Sequence, residues 1–226
     1  MRIVINRRPV RVGLLAAAVA GLLCLGATGC GGNGDEEAAD KSLAGTQLCG
    51  GDAVSAQASK ALKVITGSSR FGTTAEKSTV AQAATDLVEA FPAATGGRDD
   101  VCRIYTADGT PDFAIRVTWG LDDGPPTGSP APDFTVLDMG ERTLAAANRA
   151  YFQFACRSEK LAGSSTAAHL AVGVEHWGMP KEPEGDVEAL KDAYATVAHS
   201  FSLAMAEELR CEKNGGLPAR PVLDPA

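Results

Sequence analysis

The sequence predicts an α+β domain, an antiparallel sheet of about five strands with helices packed on one face, in the order ααβββββα. Three observations carry that expectation. Stretches near 55–66, 75–91 and 186–210 repeat their apolar residues at helical spacing, the stretch between 101 and 177 repeats them at period two, and the two patterns are segregated along the chain.

Ser55 can cap a first helix whose buried face is Ala58, Ala61, Leu62 and Ile65, with Gly67 as its stop. A second helix runs from about Ala75, with Val80, Ala84, Leu87, Val88 and Phe91 on one stripe, and ends at Pro92 and Gly96-Gly97. Val101 to Thr106 reads as a short strand, and Asp108-Gly109-Thr110-Pro111 as a turn. In the next strand Phe113, Ile115, Val117 and Trp119 alternate with Ala114, Arg116 and Thr118, which predicts one face on a core and one toward water. Gly120 through Asp133 is a proline- and glycine-rich loop, and Phe134 to Leu137 suits a brief edge strand.

Met139 to Asn148 is ambiguous, because Leu144-Ala145-Ala146-Ala147 favours a helical turn. Tyr151 to Arg157 places Phe152, Phe154 and Cys156 on one face, and His169 to Trp177 does the same for Leu170, Val172 and Val174; a small-residue loop makes the two an antiparallel hairpin. The last helix starts under Asp186 and repeats Val187, Leu190, Tyr194, Val197, Phe201 and Met205 as a narrow apolar seam, which reads as packing against the sheet.

The opening residues predict an address. Arg2, Arg7, Arg8 and Arg11 form a basic segment without acids, and Val12 to Gly26 is uncharged and rich in Leu, Ala and Val. That is the layout of an export signal, whose positive end stays on the cytoplasmic side. It ends in Ala27-Thr28-Gly29-Cys30, which resembles a bacterial lipobox, departing from the usual pattern by Ala27 where Leu is favoured. The resemblance implies that the Cys30 thiol receives diacylglycerol and that a peptidase cuts just before it; Cys24, preceded by the bulky Leu23, fits less well. An uncleaved transmembrane anchor and plain secretion are the competing readings. The boundaries that follow are a lipoprotein signal peptide over 1–29, a flexible acidic tether over 30–40 and one extracytoplasmic domain over 41–226. Location is then the outer face of the cell membrane, held by lipid on Cys30.

The precursor carries a formal charge of −7, and removal of the four signal arginines leaves 17 basic residues against 28 acidic ones, or −11. Such a chain is repelled by nucleic acid, which excludes that partner class. Aromatics are 5% of residues, so the core must rest on Leu, Val, Ile and Ala.

Once Cys24 and Cys30 are set aside, Cys49, Cys102, Cys156 and Cys211 remain, an even set suited to two disulfides in an oxidising compartment. Three pairings are open. Cys102 and Cys156 both point to the core side of the sheet, which favours Cys102–Cys156 with Cys49–Cys211, a pairing that would tie the first helix beside the last. No two of the four sit at C-x2–4-C spacing, so no metal and no cofactor is expected.

Candidate catalytic residues are few. His199 falls opposite the apolar seam and reads as a solvated surface residue; His169 and His176 face opposite sides of their strand, and His169 shares a face with Glu175. There is no Gly-x-Ser-x-Gly elbow, Ser158-Glu159-Lys160 misses Ser-x-x-Lys spacing, and Asp99-Asp100 and Asp122-Asp123 read as loop acids. Beyond the lipobox, Leu48-Cys49-Gly50-Gly51 after a short tether, Cys211 late in the last helix, and Gly215 to Arg220 resemble uncharacterised small lipoproteins of actinobacteria, a family that implies an envelope location and supplies no activity. The expected function is a non-catalytic module that binds an envelope protein, a wall component or a small ligand. The alternative is an exported hydrolase of cell-wall or extracellular polymer.

Overall fold

Each helix begins where the sequence supplies a side-chain cap. The computed structural model describes residues 42–73, 79–93, 97–106, 113–161, 166–178 and 184–226. The expected signal segment, Cys30, the expected tether and the expected start of the second helix near Ala75 lie outside the described residues. Ser55 Oγ accepts from Ala58 N at 3.1 Å and opens α1 (Ala56–Thr66), which Gly67 ends in the left-handed region at φ 73°. Thr79 opens α2 (Val80–Ala90) by accepting from Gln82 N, and Asp186 opens α3 (Val187–Glu208) by accepting from Ala189 N.

The class is α+β with an antiparallel sheet, as expected, but the sheet has eight strands rather than about five, and the order differs. The strands are β1 (Leu43–Ala44), β2 (Arg70–Thr73), β3 (Arg98–Thr106), β4 (Phe113–Asp122), β5 (Thr135–Leu137), β6 (Arg142–Ala146), β7 (Arg149–Cys156) and β8 (Ala168–Gly178). Across the sheet they run β1-β2-β3-β4-β8-β7-β6-β5. β1 and β2 precede α1 and α2 respectively and extend one edge. β6 occupies the stretch whose Leu-Ala-Ala run favours a helical turn. There Thr143 and Leu144 pair with Phe152 and Tyr151 on one side, and with Leu137 and Val136 on the other, so cross-strand pairing overrides propensity.

Alternation sets the two faces. Ile115, Val117 and Trp119 of β4 are buried, as are Phe152, Phe154 and Cys156 of β7 and Leu170, Val172 and Val174 of β8. α2 lies against β3 and β4, α3 against β6, β7 and β8, and α1 packs on α3. Leu190, Tyr194, Val197, Phe201 and Met205 are buried as the seam predicts, while Val187 is 50% exposed. The seam is not narrow, however, because burial is continuous from Ala193 to Ser202.

His199 is therefore a correction. It is 3% exposed, not solvated, because the chain beyond α3 folds back along the helix: His199 Nε2 donates to Pro218 O at 2.8 Å, and its ring packs against Phe152 with centroids 5.9 Å apart. That returning segment reaches the sheet edge, where Ala226 N donates to Val136 O at 3.0 Å.

The disulfide pairing is the second correction. Cys49 bonds Cys102 with α-carbons 5.9 Å apart, and Cys156 bonds Cys211 at 5.1 Å. Cys102 and Cys156 do both face the core, but β4 and β8 stand between β3 and β7. Three strand spacings of about 4.8 Å separate those strands, well beyond the roughly 4.4–6.8 Å of a disulfide. The expected neighbourhood of first and last helices stands without a covalent tie: Ser200 Oγ of α3 accepts from Ser55 N and donates to Ala53 O, each at 2.9 Å.

Two predictions follow from this packing. Non-reducing peptide mapping will yield linked fragments joining Cys49 to Cys102 and Cys156 to Cys211, and a fragment joining Cys102 to Cys156 would refute the sheet order. Each bond closes a span of just over 50 residues, worth about 4 kcal/mol in the chain-entropy model. Burial holds the His199 imidazole below its ordinary pKa, with the Pro218 carbonyl opposing the shift. The neutral form is therefore favoured by folding, so its contribution is present above the unfolded histidine value and is lost as pH falls below it. Thermal melts of wild type and His199→Gln between pH 7.5 and 5 check this: the wild-type midpoint will fall more steeply than that of the variant.

Candidate functional site

The face of the sheet away from the helices collects the polar members of each alternation. Register places Arg103, Arg116, Glu175 and Arg149 in one row across β3, β4, β8 and β7. The next row is Asp100, Thr118, Gly173, Tyr151 and Leu144, and the one after it Arg98, Gly120, Ala171, Gln153 and Arg142. Asp122, His169 and Ala155 follow.

Asp100 is the hub of the first two rows. It accepts from Arg103 Nε at 2.9 Å and from Arg116 Nε at 2.6 Å, and Arg116 also reaches Glu175 at 3.5 Å. A register shift between Asp100 and Cys102 makes this possible. Strict alternation would put both residues on one face; the bulge turns Cys102 into the core beside Val117 and leaves Asp100 outside beside Thr118. Arg103 lies 4.3 Å over the ring of Trp177, which is 42% exposed.

The loop after β4 is fastened across this face. Arg142 donates to Gly128 O at 3.1 Å and to Gln153 Oε1 at 3.2 Å, and Gln153 Nε2 donates to Asp122 at 2.8 Å. Arg149 pairs with Asp133 at 2.6 Å and lies 4.8 Å over Phe134, whose ring centroid is 5.9 Å from that of Tyr151. The Pro125-Pro126 stretch of the proline- and glycine-rich segment belongs to this anchored crossing.

Two glycines let side chains lie flat on the sheet. A β-carbon at Gly173 would stand 2.6 Å from Thr118 Oγ1 and 3.3 Å from the Tyr151 ring, and one at Gly120 would stand 3.3 Å from Arg98 Nε. Burial raises the Tyr151 hydroxyl above its ordinary pKa, with Glu175 adding to the shift and Arg149 and Arg98 opposing it.

The residues singled out from sequence scatter by role. His169 and His176 do face opposite ways, pairing across β4 with Asp122 and Ile115, and His169 takes Glu141 at 2.8 Å as its partner rather than Glu175. Asp99 and Asp100 are strand residues of β3 and Asp122 ends β4, so the reading of these three as loop acids is corrected. Ser158 Oγ donates to Leu209 O and Lys160 Nζ to Glu208 O, so both close the carbonyl end of α3. Arg98 and Tyr151 were missed; the glycines directly across from them, at Gly120 and Gly173, were the available signal. Among the described residues no cluster of three or more His, Cys, Asp or Glu could hold a metal, and no helix is long and apolar enough to cross a membrane.

Comparison with known proteins adds no family: no family model, curated protein or solved structure matches the chain.

The flat packing is testable. Gly173→Ala will force Tyr151 and Thr118 apart and cost about 1–3 kcal/mol in denaturant unfolding, whereas Ala171→Gly, one strand position pair away, will cost less than 1 kcal/mol if the cost arises from collision rather than from the strand backbone.

Proposed function

We propose that the protein is a lipoprotein anchored through Cys30 at the outer face of the cell membrane, and that its folded domain is a non-catalytic binding module of the envelope. The run from the basic segment to Ala27-Thr28-Gly29-Cys30 carries the address. Two buried disulfides agree with an oxidising compartment. A tether over residues 30–40, even fully extended, keeps the domain within about 40 Å of the anchor.

Binding is favoured over hydrolysis by how the acids of the open face are used. Asp100 is engaged by Arg103 and Arg116, Glu175 by Arg116, Asp122 by Gln153 and Glu141 by His169. Each of these carboxylates is held by a donor of the face, Asp100 and Glu175 sharing Arg116, and none stands free to act as acid or base on a substrate bond. What the face offers is a fixed, hydrogen-bonding surface.

Membrane fractionation tests the anchor. Wild type will stay with membranes through a high-salt wash, and Cys30→Ala will accumulate as an unlipidated form or leave the membrane. Equal release of both into the medium would defeat the lipoprotein reading, and salt-resistant retention of an uncut mutant would favour a transmembrane anchor. Incubation of the purified protein with wall polymer will release no soluble fragments; release would favour the hydrolase.

A further inference from the structure

Five strand arginines, Arg98, Arg103, Arg116, Arg142 and Arg149, share the open face with three strand carboxylates, Asp100, Asp122 and Glu175. Four of the five are engaged by a carboxylate, a carbonyl or an amide oxygen. Arg98 is exposed and makes no hydrogen bond or ion pair among the described residues. It lies over Gly120, and on the other side of the β4–β8 pair Tyr151 lies over Gly173, its hydroxyl likewise without a hydrogen-bond partner among the described residues. Both glycines are buried although they lie on the solvent-facing side of the sheet, so these two side chains are their cover.

We infer that the Arg98 guanidinium and the Tyr151 hydroxyl, laid over Gly120 and Gly173, hold the oxyanion of a small soluble ligand, a phosphoryl or carboxylate group. This deepens the binding-module reading and rests on it. A guanidinium presents a planar fork of N–H donors matched to two oxygens of such a group. The Tyr151 and Thr118 hydroxyls add donors from the facing strands. The carboxylates of the surrounding rows are already held by donors, Asp100 by Arg103 and Arg116, Glu175 by Arg116 and Asp122 by Gln153. The net charge of the chain opposes anions at long range, but in about 0.15 M salt its field is screened beyond roughly 8 Å, and within that range Arg98 is the strand arginine of this face that no carboxylate, carbonyl or amide oxygen engages among the described residues.

The test is a titration of the purified mature protein in neutral detergent with inorganic phosphate and, separately, with acetate, at constant ionic strength, followed by the arginine Nε–Hε resonances. One resonance will shift saturably, and the stronger of the two anions identifies the ligand as phosphoryl or carboxylate. Arg98→Ala will weaken binding at least tenfold and Tyr151→Phe severalfold, while Arg70→Ala, on edge strand β2, will leave it unchanged; melting curves confirm that each variant is folded. A linear drift with both anions, no shift at all, or equal binding by wild type and Arg98→Ala overturns the site. Any of these with wall polymer left intact removes this ligand and leaves the binding module, whereas polymer cleavage removes the module whatever the titration gives.

Discussion

The fold depends on one helix being buried on every side. Residues Ala193 to Ser202 of α3 are without exception buried, so the helix has no solvent stripe over nearly three turns. The sheet takes one side, α1 and α2 take others, and the segment after α3 takes what remains. Burial all round demands partners for polar members, and three of them find theirs locally or across the helix: Ser202 Oγ donates to Ala198 O, Ser200 joins α1 through Ala53 and Ser55, and His199 holds the returning chain at Pro218. The small side chains of Ala193, Ala195, Ala198, Ala204 and Ala206 let neighbours approach closely. A chain with 5% aromatics can fill a core that way, because short interaxial distances need less side-chain volume.

The disulfides follow from that arrangement. One fixes the turn before α1 onto β3, and the other fixes the chain just past α3 onto β7, so each end of the helical layer is pinned to the strand beneath it. A bond between the two ends of the domain would have duplicated the contact that Ser200 already makes. A bond between β3 and β7 would have had to cross the two strands that hold the centre of the sheet.

What was legible in the sequence was what local chemistry decides. Ser55, Gly67 and Asp186 mark helix ends because caps are satisfied within a few residues, and β4, β7 and β8 alternate because each is long enough to show its period. β1 and β2 were not legible, since two and four residues carry no period and exist only as additions to the edge of β3. β6 reads as helix because alanine and leucine prefer it, and two neighbouring strands overrule that preference. His199 was misplaced because a wheel drawn from one seam assumes a helix with one buried side. The candidate site was legible only in its parts: polar residues of β4 announced an open face, but the strand order that brings Arg98 and Tyr151 to the two flanks of the β4–β8 pair is a property of the whole sheet.

That strand order also explains why the open face differs from an ordinary solvated one. Hairpin neighbours β3–β4 and β7–β8 each bring their own polar residues, and the β4–β8 pairing joins them at the middle of the sheet, where Gly120 and Gly173 leave the surface low. The loop from β4 must travel past β8, β7 and β6 to reach β5, and Arg142, Arg149 and Phe134 hold it down on the way. One half of the face is thereby covered by the crossing chain and the other half is floored by short residues between two rows of donors. A surface that served solubility alone would need neither the bulge that turns Asp100 outward nor glycines beneath Arg98 and Tyr151. The bulge sets an acceptor that fixes Arg103 and Arg116, the glycines seat the donors of Arg98 and Tyr151, and positioned donors are what recognition of a small anionic group requires.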